Sequence, residues 1–203
     1  MAKMSLSKSA LLQETRQLQS FRRFLPSLDL KRRQLIAERA KARKELDDAL
    51  ETQEELRRFI ARELPMLANH DVELPEMLRL EGVVLGEENL LGTLLPVLEK
   101  VRIARRPYSL LARPHWVDPL MDKLAEMIEL EVARRVREIR LERLDAAVRK
   151  ITQRVNLFDK VLIPRSEERI RKIRLHLADV ERAAVVRAKI SKSRRIAHAE
   201  TSA

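Results

Sequence analysis

The sequence contains no group of residues with the types and spacing that metal or acid–base chemistry requires. The chain contains no cysteine, which excludes disulfides, thiolate catalysis and thiolate metal sites. None of its four histidines stands four residues from another with the carboxylate that a helical metal site requires. They are His70, His115, His176 and His198. No glycine-rich phosphate loop or dinucleotide turn is present. We therefore expect no catalytic residue, no cofactor and no metal, and we expect Glu87-Glu88 to lie in a solvated turn.

Basic residues form the second group of candidates. Residues 1–45 hold 12 basic and 4 acidic residues, and residues 164–203 hold 11 and 5, within a chain of net charge +11. Basic ends are typical of contact with nucleic acid, an anionic membrane surface or an acidic protein, and also of a solvated helix face. Lys192, Arg194 and Arg195 stand in the C-terminal tail, where no aromatic residue is interleaved for base stacking. This disfavours specific nucleic-acid binding.

The elements that carry these residues are predicted to be long helices. The 203 residues include 36% charged residues, only 3% aromatic residues and three glycines, a composition that favours helices over a globule or a β-sandwich. No stretch approaches the roughly 20 apolar residues of a membrane span, and no signal-peptide core follows Met1.

A heptad pattern runs through the first of these helices. From position 11 to position 60, fifteen positions follow a 3-4 spacing, and eleven of them are apolar. These are Leu11, Leu18, Phe21, Leu25, Leu28, Leu35, Ala42, Leu46, Ala49, Leu56 and Ile60. A helix from Ser7 to Leu64 would be roughly 85 Å long, and Pro26 is expected to bend it.

A second heptad pattern follows Pro119. Thirteen positions from 120 to 162 follow the same spacing, and ten are apolar. The pattern then changes phase by one residue at Pro164, where we also expect a kink. It resumes after the proline as Ile170, Ile173, Leu177, Val180 and Ala184.

The segment between the two patterns differs in kind. Residues 65–119 contain all three glycines and six of the eight prolines, so one continuous helix is excluded. Residues 83–85 and 90–97, joined by a turn at 86–89, are expected to form a short β-hairpin.

Together these patterns predict an all-α fold, a long antiparallel two-helix left-handed coiled coil with a short central insert. We divide the chain into an N-terminal helix (1–64), an insert of short helices and a hairpin (65–119), and a C-terminal helix with a basic tail (120–203). Folding back would bring both basic termini to one end.

One apolar pair lies off the predicted seam. Leu157 and Val161 are four residues apart and form a small stripe beside the seam, with Arg154 and Asn156 nearby. Single exposed leucines are common, but the stripe also fits a docking surface for another protein of a complex.

Three segments resemble the D-subunit family of V-type and A-type rotary ATPases. They are Thr152-Gln153-Arg154-Val155-Asn156 with Val161-Leu162-Ile163-Pro164, the insert segment Asn89-Leu90-Leu91-Gly92-Thr93-Leu94-Leu95-Pro96, and the N-terminal run Leu28-Asp29-Leu30-Lys31-Arg32-Arg33-Gln34-Leu35. Tyr108 also matches the family pattern. Phe24-Leu25-Pro26 departs from it, because the family often has Gly-His there.

The resemblance implies a non-catalytic central rotor shaft. The terminal tip would enter a ring of catalytic A and B subunits. The lower part would bind the small F subunit of the stalk and the cap of the membrane ring, which is called the C or d subunit. Such a protein is cytoplasmic and peripheral to the membrane. Arg154, Asn156, Leu157, Val161, Lys192, Arg194 and Arg195 are the expected partner-binding residues.

Two other interpretations remain open at this stage. A coiled-coil arm that binds nucleic acid would show a steep salt dependence. The stalk protein of a flagellar or secretion export ATPase is also an antiparallel coil inside a ring.

Overall fold

Two long helical segments flank a β-hairpin. The computed structural model describes residues 5–63, 77–106 and 116–201. The elements are α1 (Lys8–Glu63), β1 (Leu78–Leu90), β2 (Thr93–Arg105), α2 (Val117–Leu157), a π-helical turn (Phe158–Leu162) and α3 (Ile163–Thr201). This confirms the predicted all-α coiled-coil fold with a hairpin insert. His70, His115 and Tyr108 lie outside the described residues. None of the helices in the described ranges is long and apolar enough to cross a membrane.

Helix α1 begins at a serine cap and keeps its heptad pattern throughout. The Ser7 hydroxyl accepts a hydrogen bond from the backbone N–H of Ala10 at 3.2 Å, which satisfies one of the free donors of the first turn. All fifteen predicted seam positions are buried or half-buried, so this seam is confirmed. Pro26 lies inside the helix, and the bend expected there remains a prediction.

Helix α2 begins earlier than the sequence pattern indicated. Its first residue is Val117, which places Pro119 within the first turn. Backbone N–H groups of a first turn have no helical acceptor, so a proline there costs little. All thirteen predicted seam positions from 120 to 162 are buried or half-buried. The three-part division at residues 64/65 and 119/120 remains a prediction.

The chain divides into two compact units. Unit 1 comprises Met1–Leu30 and Ile151–Ala203, and unit 2 comprises Lys31–Lys150. In unit 2, residues later in α1 contact residues earlier in α2, as an antiparallel pair of helices requires. The contacts are Arg39 to Asp145 at 3.5 Å, Gln53 to Glu131 at 2.7 Å, and Lys123 Nζ at 5.5 Å from the Phe59 ring centre.

The hairpin of unit 2 is longer than predicted and its turn lies elsewhere. Strands β1 and β2 have 13 residues each and pair antiparallel from Leu78–Arg105 to Leu90–Thr93. The predicted turn at 86–89 was wrong. The chain reverses at Leu91-Gly92, whose φ angles of 52° and 78° fit a two-residue type I′ turn. The Asn89 side-chain oxygen accepts a hydrogen bond from the Gly92 N–H at 2.8 Å and closes this turn.

The solvated turn expected at Glu87-Glu88 was also wrong, because both residues lie in β1. Glu88 forms an ion pair with Arg140 of α2 at 2.8 Å. Arg143 of the same helix donates to the Leu94 carbonyl at 3.0 Å. These contacts attach the hairpin to α2, and Leu95 is fully buried.

Candidate partner-binding surface

The predicted partner-binding residues all belong to unit 1, and the seam fixes the orientation of those between 154 and 161. Ile151 and Val155 are buried and hold the C-terminal helix in the seam. Phe158 packs against Phe21 of α1, with the ring centres 5.4 Å apart and the rings almost perpendicular at 82°. Edge-to-face packing of this kind adds to the area that the two rings bury. Asn156 and Leu157, at the b and c positions between these seam residues, therefore face away from α1, while Arg154 and Val161 lie at the side of the seam.

A π-helical turn explains the predicted phase change. Residues Phe158–Leu162 form one wide turn, closed by a hydrogen bond from the Ile163 N–H to the Phe158 carbonyl five residues earlier. A π-turn adds one residue to a helical face without ending the helix. Pro164 follows directly, and it has no N–H to give to the Lys160 carbonyl. The wide turn therefore sits where an α-helical turn would lose a bond, and the seam resumes one residue late.

The seam after Pro164 follows the predicted positions only in part. Ile170 and Ile173 are buried and Leu177 is half-buried, as predicted. Val180 and Ala184 are exposed, so their assignment to the seam was wrong. The physical reason is the length of the partner helix. Lys8, the first residue of α1, is paired with Glu181 at 3.7 Å, so α3 continues beyond the start of α1.

Leu157 and Val161 are exposed, as the heptad positions predicted. Leu157 exposes 46% of its surface and Val161 exposes 47%, while the neighbouring seam residue Val155 exposes 6%. Arg154 and Asn156 are exposed as well. The structure thus places these four residues on adjacent turns with their side chains available. Their contact with a partner remains a prediction.

Ion pairs link the two helices of unit 1 along its length. Arg22 donates to Glu167 at 2.6 Å, and Arg169 donates to Glu14 at 2.9 Å. The second Glu14 carboxylate oxygen is buried and accepts no hydrogen bond within the described part of the chain. Exposed pairs such as Arg22–Glu167 contribute about 0.2–1 kcal/mol each. They set the register of the helices more than their stability.

The basic tail residues lie in the part of α3 that continues past α1. Lys192, Arg194 and Arg195 are exposed, and so is every residue from 179 to 195. Three large aliphatic side chains that the sequence reasoning missed are exposed among them. They are Val185, Val186 and Ile190, at 56%, 55% and 48%. The signal that could have found them is the difference in length between the two helical segments.

The described ranges contain no group of three histidine, aspartate or glutamate side chains arranged to hold a metal. Among the described residues, the carboxyl with a large pKa shift is that of Glu131, which lies at the contact between α1 and α2. Hydrogen bonds from Arg134, and then from Gln53, lower the pKa of Glu131 from 4.5 to about 2. This cluster joins α1 to α2 across the seam of unit 2.

Comparison with known proteins gives one consistent result. The family model described as the D subunit of ATP synthase matches residues 10–193. The V-type ATP synthase D subunit of Borreliella burgdorferi is 31% identical over 193 residues, covering 95% of both chains. The protein of the same name from Chlamydia felis is 30% identical over 195 residues, covering 95% of this chain and 94% of the relative. The one from Chlamydia trachomatis is 27% identical over 201 residues, covering 98% of this chain and 99% of the relative. The chain therefore belongs to the D-subunit family of ATP synthases.

Proposed function

We propose that the chain is the central-stalk component of a rotary V-type ATPase or ATP synthase. It would couple ATP hydrolysis or synthesis in a catalytic hexamer to ion translocation through a membrane ring. The observation that carries this proposal is the family match over residues 10–193, which includes both helical segments and the hairpin. Relatives of nearly equal length are V-type ATP synthase D subunits by name.

The paired helices suit a shaft that transmits torque. Within each unit, two helices held by a seam resist twisting better than a single helix, because each turn of one is packed against the other. Ion pairs link the two helices inside each unit, such as Arg39–Asp145 in unit 2 and Lys8–Glu181 in unit 1. We assign the chain no catalytic step of its own.

Family membership and the charge distribution support the partners that we propose. The basic end with Lys192, Arg194 and Arg195 would lie inside the ring of catalytic A and B subunits. There, charge would give loose and salt-sensitive contact that lets the shaft turn. The other part would bind the small F subunit of the stalk and the C or d subunit that caps the membrane ring. The protein would thus act on the cytoplasmic side, peripheral to the membrane.

The first test is assembly from purified A, B and F subunits. We expect this chain to enter a stoichiometric complex and to be required for ATP hydrolysis coupled to ion movement. A chain that stays outside the complex would contradict the proposal. Tight RNA or DNA binding with a steep salt slope would then favour a nucleic-acid-binding arm.

The second test concerns the basic tail. Replacing Lys192, Arg194 and Arg195 with glutamine is expected to change the rate of coupled ATP hydrolysis and its dependence on salt. The matched control replaces Arg57, Arg58 and Arg62 with glutamine, since these three are also exposed but lie in unit 2. If the tail variant matched the wild type at every ionic strength, the tail would have no role in the contact.

A further inference from the structure

An exposed aromatic residue on α1 extends the stripe formed by Leu157 and Val161. Phe24 exposes 56% of its surface, although its neighbour Leu25 is half-buried in the seam. In heptad terms Phe24 occupies position g, one residue before the seam position a. Val161 also occupies position g, and Leu157 occupies position c on the preceding turn. All three belong to unit 1.

The contacts of unit 1 define which sides of the coil these positions share. In an antiparallel coil, e positions of one helix face e positions of the other, and g positions face g positions on the opposite side. The ion pairs Lys8–Glu181 and Arg22–Glu167 both join e positions. Phe21 and Phe158 pack together at one level of the coil. Phe24 follows Phe21 by three residues on α1, and Val161 follows Phe158 by three residues on the C-terminal helical segment. Both therefore occupy g positions within one turn of that level.

Unit 1 therefore has two unlike sides near the Phe21–Phe158 pair. The e side bears the ion pairs Lys8–Glu181 and Arg22–Glu167, whereas further along α3 the pair Arg169–Glu14 joins a g position to a seam position. The g side bears the three exposed apolar side chains Phe24, Leu157 and Val161, which we call the g-side patch. Large exposed apolar side chains grouped in this way mark interaction sites more often than scattered ones do.

The charges around the g-side patch indicate the chemistry of its partner. On the C-terminal helix, exposed Arg154 precedes Leu157 by three residues and exposed Arg165 follows Val161 by four. Both arginines therefore lie on the same helix face as the apolar pair, one turn away at either end. On α1 the neighbouring g-side and c-side positions are the uncharged Gln17, Ser20 and Ser27. No acidic residue lies at these positions, so the patch is apolar at its centre and positively charged at its ends.

We infer that the g-side patch binds an acidic amphipathic helix of another protein of the complex. Its apolar residues would cover Phe24, Leu157 and Val161, and its carboxylates would pair with Arg154 and Arg165. The inference rests on the proposed function for the presence of that partner. It goes further in adding Phe24 and Arg165 to the surface, in selecting one side of the coil, and in stating the partner's chemistry.

Photo-crosslinking tests this directly in a complex assembled from purified A, B and F subunits. A benzophenone amino acid replaces Phe24 in one chain and Leu157 in another. The control chain carries it at Leu30, which is equally exposed at 58% but lies at position f, away from the g side. We expect residues 24 and 157 to crosslink to one acidic amphipathic helix of the same partner, and residue 30 not to crosslink to that helix.

Substitutions supply the quantitative arm, measured as the affinity of the full chain for the crosslinked partner. Phe24→Ser and Leu157→Ser should each weaken binding at least about fivefold, the effect of removing an anchor side chain from an interface. Leu30→Ser should leave it unchanged. The double variant Arg154→Glu and Arg165→Glu should weaken binding most at low salt. Unchanged helicity by circular dichroism separates lost contacts from lost folding.

The outcomes distinguish this inference from the proposed function. Crosslinks to a second copy of the chain, to a basic segment, or to nothing overturn the inference alone, provided that the chain still enters the complex. A chain that does not enter the complex contradicts the proposed function, and the inference that depends on it also fails.

Discussion

The seam residues of α1 follow the same heptad spacing in units 1 and 2, but they are buried to different extents. Within α1, four seam residues of unit 2 are buried: Leu35, Ala42, Ala49 and Leu56. In the part of α1 that belongs to unit 1, the seam residues are only half-buried. Unit 1 also exposes Phe24, Leu157 and Val161. The difference shows that α1 is packed more deeply against its partner helix in unit 2 than in unit 1, although both units also expose large apolar side chains.

The largest expected effect contrasts one leucine from each unit. Leu35 exposes 1% of its surface, so Leu35→Ala should lower the free energy of unfolding by about 2–5 kcal/mol through lost burial and the cavity left behind. Leu28→Ala, at a half-buried seam position of unit 1, should cost clearly less. Urea unfolding followed by circular dichroism measures both. Leu30→Ala, at an exposed position, is the control and should change stability by less than about 0.5 kcal/mol. Equal losses for Leu35 and Leu28 would remove the contrast between the units.

A second prediction concerns the proline inside α1. Pro26 has no N–H for the Arg22 carbonyl, so Pro26→Ala should restore one helical bond and stabilise the helix by about 1–3 kcal/mol. Slower hydrogen exchange of amides near residue 26 is the most local measurement. Pro119→Ala is the matched control, because Pro119 lies in a first turn where the N–H has no helical acceptor. A similar gain at both prolines would contradict this explanation, because removing a proline makes the unfolded chain more flexible and by itself lowers stability.

A third prediction tests the hairpin of unit 2. Gly92 has a φ of 78°, a left-handed conformation that costs an alanine about 1–2 kcal/mol. Gly92→Ala should therefore speed hydrogen exchange in the strands next to the turn. Gly82→Ala is the control within the same hairpin, since a methyl group there would meet no atom within 4 Å. If the two substitutions had the same effect, the assignment of the turn to Leu91-Gly92 would be contradicted.

The smallest effect is a pH dependence confined to unit 2. Arg134 and Gln53 hold the pKa of Glu131 at about 2, below its ordinary value of 4.5. A carboxyl with a lowered folded-state pKa contributes stability above its unfolded pKa and loses it as the pH falls. Stability should therefore decline between about pH 4.5 and pH 2, and Glu131→Gln should flatten that decline. Exposed Glu129→Gln is the control. An unchanged acid profile in the Glu131 variant would contradict the assignment.

The sequence predicted the helices well because their signal is periodic. Every predicted seam position from 11 to 60 and from 120 to 162 is at least half-buried. The phase change at Pro164 was also correct, although its cause, a π-turn at Phe158–Leu162, has no periodic signal of its own. The sequence indicates this π-turn only through the missing N–H of Pro164 and the one extra residue in the heptad spacing.

The missed features depend on contacts far along the chain. The predicted hairpin turn at 86–89 combines a glycine with polar residues, yet the observed turn uses Leu91, a residue type that is rarely found at positive φ. The exposure of Val180 and Ala184 depends on where α1 starts, which a local pattern cannot specify. The exposure of Phe24 follows from its g position, but its relation to Leu157 and Val161 required the antiparallel register.

Rotation of the chain within a working complex is the most direct test of the central claim. The chain has no native cysteine, so Glu87→Cys on the exposed part of β1 gives a single labelling site. A probe attached there would be followed by single-molecule microscopy while the catalytic subunits are fixed to a surface. We expect ATP-dependent rotation of the probe in one direction. A probe that stays stationary while the same complexes hydrolyse ATP would contradict a central-stalk role.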